Sequence, residues 1–143
     1  MPHVLIIDDE PGIRFALKRW FERQQWRVQE AEDGQAALDA LLASPAGDDR
    51  HDGAFHLILC DLNLPTVSGD TIVRTLRAQR PELVARLILT TGDAVIDAPP
   101  GSVLADHPHV LQKPFDLVTL RKAVERVAAR GDGEAAEGGG ETA

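Results

Sequence analysis

The sequence predicts an α/β fold, in which a doubly wound, five-stranded parallel sheet is covered by helices on both faces. Apolar runs at residues 4–7 and 57–60 are each followed directly by an acid, a pattern typical of strands buried in a parallel sheet. Segments with helical spacing of apolar residues alternate with such runs, which implies right-handed crossovers between parallel strands. The predicted fold class rests on these two observations.

The strands are predicted from short apolar runs that end at turn residues or at an acid. In chain order they occupy residues 4–7, 26–28, 57–61, 87–89 and 110–111. The stretch at residues 44–53 is rich in Pro, Gly and Asp and has no apolar periodicity, so it is predicted to be a solvated loop.

The helices are predicted where apolar residues recur three and four positions apart. They are residues 11–24, a helix that follows Asp33 and ends at Ser44 and Pro45, a helix around residues 72–76 that stops before Pro81, and a last helix from 117 to about 130. Pro11 suits the first turn of the first helix, and Asp33 suits the N-cap of the second. Gly131 suits the end of the last helix.

The region before the last strand breaks this regularity. Residues 99–101 are Pro-Pro-Gly, which interrupts a helix. The fourth helix is therefore predicted to be short or disrupted, with helical pieces only near residues 95–96 or 103–104. Residues 131–143 contain only Gly, Ala, Asp, Glu and Thr, and they are predicted to form a disordered tail after a single domain at residues 1–130.

Length and composition restrict the class of protein. At 143 residues the chain fits one domain of ordinary size. Its formal net charge of −8 argues against binding to a nucleic acid backbone, and its apolar runs are too short to span a membrane. No signal peptide is found, and the lone Cys60 cannot form an internal disulfide. We therefore expect a cytoplasmic protein without nucleic acid or membrane partners.

Acids gather at one edge of the predicted sheet. Asp8 and Asp9 follow the first strand and Asp61 ends the third, so they are expected at the carboxyl edge, where open α/β sheets bind ligands. Like charges at such an edge repel one another unless a cation lies between them, and hard oxygen ligands suit Mg²⁺. The sequence therefore predicts a magnesium site. Thr91 and Lys113, at the ends of the fourth and fifth strands, are expected at the same edge.

Together these residues offer a metal site, a nucleophile, a hydroxyl donor and a fixed cation, which are the parts that phosphoryl transfer requires. A carboxylate can itself accept the phosphoryl group as an aspartyl phosphate. Asp61 is the expected acceptor, because it stands alone at the end of the central strand while Asp8 and Asp9 pair to hold the metal.

Four motifs in this order resemble the receiver domains of two-component response regulators, over residues 3 to about 130. They are I-I-D-D-E at 6–10, D-L-N-L-P-x-x-S-G at 61–69, L-T-T-G at 89–92 and K-P-F at 113–115. The resemblance implies the flavodoxin-like fold of that family and a phosphoacceptor switch in a phosphorelay, without an output domain in this chain. It also implies a partner, a histidine kinase or histidine phosphotransfer domain, whose phosphohistidine donates the group. The downstream target stays open.

The resemblance also implies roles for individual residues. Asp61 is the phosphoacceptor in this comparison. The implied Mg²⁺ ligands are Asp8, directly or through water, Asp9, Asp61 and the backbone carbonyl of Asn63. Lys113 pairs with Asp61 and then with a phosphoryl oxygen, while Thr91 donates a hydrogen bond to another. The implied loop-shaping residues are Pro65, Gly69, Gly92 and Pro114, the last after a peptide bond that is cis in the family.

Two departures from the family pattern concern signal output. Val110 stands where the family usually has a Tyr or Phe that reports the switch, three residues before the lysine. The disrupted fourth helix alters the surface that such domains use for dimerisation and output. We therefore predict that signalling does not follow the common route. T-G-D at 91–93 and V-L-Q-K-P-F at 110–115 are more similar to receivers of hybrid histidine kinases than to receivers joined to DNA-binding outputs.

Two other functions stay open. A pseudo-receiver that binds partners without phosphorylation is disfavoured by the intact acids and Lys113, but it fits the unusual fourth-helix region. A Mg²⁺-dependent phosphatase of the haloacid dehalogenase type also uses an aspartate after a strand, but that family has a second Asp where this chain has Asn63. The chain is therefore not expected to be an enzyme. Its five His residues show no metal-ligand spacing, which disfavours zinc.

Overall fold

The structure, a computed structural model, describes residues 1–45, 54–92 and 97–136, and it confirms the predicted fold class. The strands are β1 (His3–Ile7), β2 (Arg27–Ala31), β3 (Leu57–Asp61), β4 (Leu87–Thr91) and β5 (Val110–Gln112). They form one parallel sheet in the order β2-β1-β3-β4-β5. The helices are α1 (Pro11–Arg23), α2 (Gly34–Ala43), α3 (Gly69–Gln79), α4 (Pro81–Val84), α5 (Val103–Asp106) and α6 (Leu117–Ala136).

Helices cover both faces of the sheet. Side chains alternate along each strand, so Leu5 of β1 packs with α2, α3 and α4 on one face, while Ile6 packs with α1 and α6 on the other. β1 and β3 are buried along their whole length, which is why they appear as uninterrupted apolar runs. The core therefore holds in place the two strands whose carboxyl ends bear the acids.

The second strand differs from its prediction at residues 26–28. β2 runs from Arg27 to Ala31 and pairs in register with the whole of β1. Gln29 and Glu30 are exposed at this edge of the sheet, so no apolar alternation marks them as part of a strand. The length of β2 is set by hydrogen bonding to β1, which the local sequence does not show.

The helix between β4 and β5, predicted as a short or disrupted fourth helix, is the short helix α5. α5 spans Val103–Asp106, and the side chain of Ser102 caps it by accepting a hydrogen bond from the backbone of Ala105 at 3.2 Å. The other predicted helical piece, at residues 95–96, lies outside the described residues, as does most of the predicted loop, at residues 46–53. The short helix α4 was not predicted. Pro81 both follows α3 and begins α4, since proline is favoured in a first helical turn.

The last helix is longer than predicted. α6 continues to Ala136, so the predicted end at Arg130 with a stop at Gly131 is wrong. Two glycines, Gly131 and Gly133, lie in this part of α6. Each costs a helix only about 1 kcal/mol relative to alanine, and good helix formers such as Ala135 and Ala136 follow. Residues 137–143 of the predicted tail lie outside the described residues. Among the helices described, none combines the length and apolar character that crossing a membrane requires.

Candidate functional site

Three carboxylates meet at the carboxyl edge of the sheet. Asp61 is the last residue of β3, and Asp8 and Asp9 follow β1, its neighbour in the sheet. One carboxylate oxygen from each residue lies within 4.8 Å of the other two. Asp8 and Asp61 are buried, whereas Asp9 is exposed. The structure thus brings together the three acids that were predicted from the sequence to form the site.

The ammonium of Lys113 reaches this cluster from β5, at the opposite edge of the sheet from β2. The backbone N–H of Lys113 donates to the carbonyl of Thr91 at 2.6 Å, which fixes the chain as it leaves β5. Its Nζ donates to Asp61 Oδ2 at 3.1 Å and to Asp8 Oδ2 at 3.0 Å. The peptide bond between Lys113 and Pro114 is cis, as expected. One cation therefore pairs with acids from two different strands.

Burial and charge together set the ionisation of these groups. Burial raises the pKa of Asp61, and the charge of Asp8 adds to this, although hydrogen bonds from Lys113 and Asn63 oppose the shift. Burial lowers the pKa of Lys113, but its hydrogen bonds to the two acids outweigh this effect and raise the pKa overall. Lys113 is therefore firmly protonated, while an ionised Asp61 stays costly. A further cation at the cluster would reduce that cost.

The donor set fits Mg²⁺. Asp8, Asp9 and Asp61 offer carboxylate oxygens, and Mg²⁺ prefers oxygen ligands and a few carboxylates together with retained waters. The exposure of Asp9 leaves space for water on that side of the cluster. Asn63 contributes to the site through its backbone N–H, which donates to Asp61 Oδ1 at 3.1 Å. That its carbonyl binds the metal stays a prediction.

The expected switch positions lie at the end of β4 and at the start of β5. Thr91 is the last residue of β4 and is fully buried. The pairing of β3 with β4 places Thr90 opposite Asp61, so Thr91 lies one residue beyond the predicted acceptor along the sheet edge. Val110 begins β5 and packs, partly buried, against the core. Its side chain is aliphatic, so no ring is present there to rotate.

Two glycines allow the loop after Asp61 to pack closely. A Cβ on Gly69 would lie 2.6 Å from the carbonyl oxygen of Asp61, and one on Gly34 in α2 would clash with the backbone of the same loop. The N–H of Gly34 also donates to the carbonyl of Pro65 at 3.1 Å. The predicted importance of Gly69 thus has a steric reason. Gly92 has open space around it, so packing does not require a glycine there and its role stays a prediction.

Two further residues of this region, Glu10 and Arg14, were assigned no role from the sequence. Glu10 Oε1 lies 3.5 Å from Lys113 Nζ, and the Glu10 backbone N–H donates to Asp8 Oδ1 at 2.9 Å. Arg14 Nη1 donates to the backbone carbonyl of Asp8 at 2.6 Å. Their position in the sequence could have indicated a role, because both residues lie in or just before the first turn of the helix that follows the acids.

Comparison with protein-family models matches residues 4–125 to the response regulator receiver domain. The chain is 31% identical over 140 residues to the response regulator MprA of Mycolicibacterium vanbaalenii. The aligned region covers 98% of this chain and 55% of MprA. The chain is also 26% identical over 127 residues to the response regulator receiver protein CpdR of Brucella abortus. That aligned region covers 89% of this chain and 97% of CpdR. The chain spans about half the length of several curated relatives such as MprA.

A solved structure shows the same likeness. The response regulator TrrA of Thermotoga maritima is 25% identical to this chain, with a TM-score of 0.70 and coverage of 89% of this chain and 99% of TrrA. TrrA has been solved in complex with Mg²⁺ and BeF, and also with the histidine kinase ThkA. The family match runs from β1 into α6 and includes the three acids and Lys113. The chain therefore belongs to the family of response regulator receiver domains, the phosphoacceptor modules of two-component signalling.

Proposed function

We propose that this chain accepts a phosphoryl group on Asp61 from the phosphohistidine of a histidine kinase or a histidine phosphotransfer domain, with Mg²⁺ held by Asp8, Asp9 and Asp61. The main support is the position of the Asp61 carboxylate. It contacts the Lys113 ammonium and lies within 4.8 Å of the other two acids. An acceptor beside a fixed cation and a group of metal ligands has the parts that phosphoryl transfer uses.

In this reaction a carboxylate oxygen of Asp61 attacks the phosphorus. A P–O bond forms, the P–N bond of phosphohistidine breaks, and the imidazole nitrogen keeps the electron pair. The hydrogen bond from Lys113 favours the ionised form of Asp61, which the attack requires, and the ammonium afterwards neutralises a phosphoryl oxygen. Bound Mg²⁺ supplies further neutralisation of charge on the transferred oxygens. The Thr91 hydroxyl is proposed to donate to another of these oxygens.

We also propose that the chain is a stoichiometric phosphoacceptor and not an enzyme that turns over phosphate esters. Asn63 supports this, because an amide two residues after Asp61 cannot serve as the second acid of a phosphatase. The partner kinase is supported by the complex of TrrA with ThkA.

The experiment is incubation with Mg²⁺ and acetyl phosphate, followed by measurement of the intact mass. The wild type is expected to gain the mass of one phosphoryl group, and the Asp61→Asn variant is expected to gain none. Asp39→Asn is the matched control, because Asp39 is an exposed acid on α2 and should leave the adduct unchanged.

The other outcomes separate the two alternatives. A wild type that binds Mg²⁺ but gains no mass, also from a phosphorylated histidine kinase, would indicate a pseudo-receiver. Release of many equivalents of phosphate from a phosphate ester, lost in Asp61→Asn, would indicate a phosphatase. Either result would replace the proposed function.

A further inference from the structure

Arg14 of α1 connects the acid-bearing loop to the edge strand β2. Its side chain is only 14% exposed, and Nη1 donates to the backbone carbonyl of Asp8 at 2.6 Å. Nε of the same guanidinium donates to Glu30 Oε1 at 3.2 Å, and Nη2 lies 4.0 Å from Glu32 Oε1. Because the guanidinium is planar and rigid, these contacts hold three segments of the chain in one geometry.

The carbonyl that Arg14 binds belongs to the peptide bond between Asp8 and Asp9. The N–H of Asp8 donates to the carbonyl of Ala31 at 3.2 Å, and both of its carboxylate oxygens accept hydrogen bonds. Asp8 is therefore held at its backbone and at its side chain. The plane of the following peptide sets the direction in which the chain continues to Asp9, since peptide groups are planar. The contact from Arg14 fixes that plane.

The charge of Arg14 is balanced by its neighbours. Glu30 and Glu32 face the guanidinium, and Lys18 Nζ lies 3.6 Å from Glu30 Oε2. These two cations and two carboxylates have no net charge, so their combined field at the acid cluster is weak. What Arg14 provides to the acid loop is a directional hydrogen bond.

We propose that Arg14 is a positioning residue for the Mg²⁺ site. By holding the peptide between Asp8 and Asp9, it keeps both carboxylates directed toward the place where a metal would also meet Asp61. The inference rests on the Mg²⁺ site of the proposed function. Residues that orient metal ligands typically change metal affinity by about 10-fold to 100-fold when they are removed.

The test is Mg²⁺ affinity, measured by titration calorimetry on the wild type, Arg14→Met and Arg14→Lys. Met removes every donor, and Lys keeps the charge but has a single ammonium in place of the fork. A positioning role predicts that both variants bind Mg²⁺ at least about tenfold more weakly. A role through charge alone predicts that Arg14→Met binds Mg²⁺ more tightly, because a nearby cation is lost, and that Arg14→Lys binds like the wild type. That pattern would overturn the inference.

Lys18→Met is the matched control, because Lys18 contacts the same Glu30 but not the acid loop. Its Mg²⁺ affinity is expected to equal that of the wild type. Glu30→Gln weakens the contact that holds the guanidinium while leaving Arg14 in place, so it is expected to lower the affinity by a smaller factor. This exposed substitution also keeps the test valid if Arg14→Met does not fold.

Amide NMR shifts of the metal-free proteins give a second measurement. The amides of Asp9 and Glu10 are expected to shift in both Arg14 variants and not in Lys18→Met. A wild type that does not bind Mg²⁺ would overturn the proposed function and this inference with it. A wild type that binds Mg²⁺, with Arg14→Met, Arg14→Lys and Glu30→Gln binding equally well, would overturn this inference alone.

Discussion

Nζ of Lys113 lies 3.1 Å from Oδ2 of Asp61, although 52 positions separate the two residues in the chain. Lys113 follows β5 and Asp61 ends β3, with β4 between them in the sheet. The long lysine side chain spans this distance along the carboxyl edge. The contact joins β3, which bears the predicted acceptor, to the chain that leaves β5. A change in the charge of Asp61 therefore acts directly on Lys113, the residue after β5.

Replacement of Lys113 by Met is expected to destabilise the metal-free protein. The variant leaves Asp8 and Asp61 buried without their cation, and breaking such a pair costs about 3–5 kcal/mol when it is fully buried. Because Lys113 is partly exposed, we expect a loss of about 2 kcal/mol in the free energy of unfolding, measured by urea denaturation. Lys122→Met, at an exposed lysine of α6, is the control. Equal stability of Lys113→Met and the wild type would show that the pair does not stabilise the fold.

Replacement of Asp61 by Asn is expected to stabilise the metal-free protein at neutral pH. Burial raises the pKa of Asp61 above its ordinary value of 3.8, so the ionised carboxylate lowers the stability of the folded state. This penalty is fully present above the raised pKa, and it disappears as the pH falls below 3.8. Urea denaturation from pH 3.5 to 7.5 should show an advantage of Asp61→Asn that grows with pH. A difference in stability between the two proteins that stays constant across this range would contradict a raised pKa of Asp61.

Replacement of Asp9 by Asn is expected to separate metal binding from folding. Asp9 is exposed, so the metal-free stability should change by less than about 0.5 kcal/mol. Mg²⁺ at 100 times its Kd stabilises a protein by about 2.7 kcal/mol, and the variant should lose most of this gain. Thermal denaturation with and without Mg²⁺ measures both quantities, with Asp39→Asn as control. An undiminished Mg²⁺ effect in Asp9→Asn would remove Asp9 from the ligand set.

Alanine at Gly69 and at Gly12 is expected to have opposite effects. A Cβ at residue 69 would lie 2.6 Å from the carbonyl oxygen of Asp61, so Gly69→Ala must displace the backbone, at a cost of about 1–3 kcal/mol. A Cβ at residue 12, in α1, meets nothing within 4 Å, and Gly12→Ala should stabilise by about 0.4–1 kcal/mol. Urea denaturation of both variants tests the pair. A Gly69→Ala protein as stable as the wild type would show that the loop has more room than the structure indicates.

Acid is expected to weaken the fold through His107. This histidine is 5% exposed, and burial lowers its pKa from the ordinary 6.5, with a hydrogen bond to the carbonyl of Leu87 opposing the shift. The neutral form is therefore favoured in the folded state, so stability is lost as the pH falls through 6.5 toward the lowered pKa. Urea denaturation between pH 7.5 and 5 should show a steeper loss for the wild type than for His107→Gln. Parallel curves would mean that another group is responsible.

Much of the fold could be predicted because β1, β3 and β4 are buried on both faces, so their positions appear directly as apolar runs. The edge strand β2 was placed with the wrong bounds, because its exposed Gln29 and Glu30 carry no such pattern. The predicted end of α6 was also wrong, since α6 continues through Gly131 and Gly133 to Ala136 and each glycine costs a helix only about 1 kcal/mol. Buried elements are thus predicted better than elements whose limits depend on pairing or on small propensity differences.

The chemical groups of the site and their meeting at the strand ends follow from the order of residues alone: Asp8 and Asp9 come after one apolar run, Asp61 after another, and Lys113 after a third. This follows because parallel strands share one carboxyl edge. Three contacts come from the folded chain: one ammonium pairs with two carboxylates, Glu10 lies 3.5 Å from that ammonium, and Arg14 binds the peptide between the paired acids. Such contacts depend on the directions of side chains and on distances across the sheet, and neither is encoded in the spacing of residues along the chain.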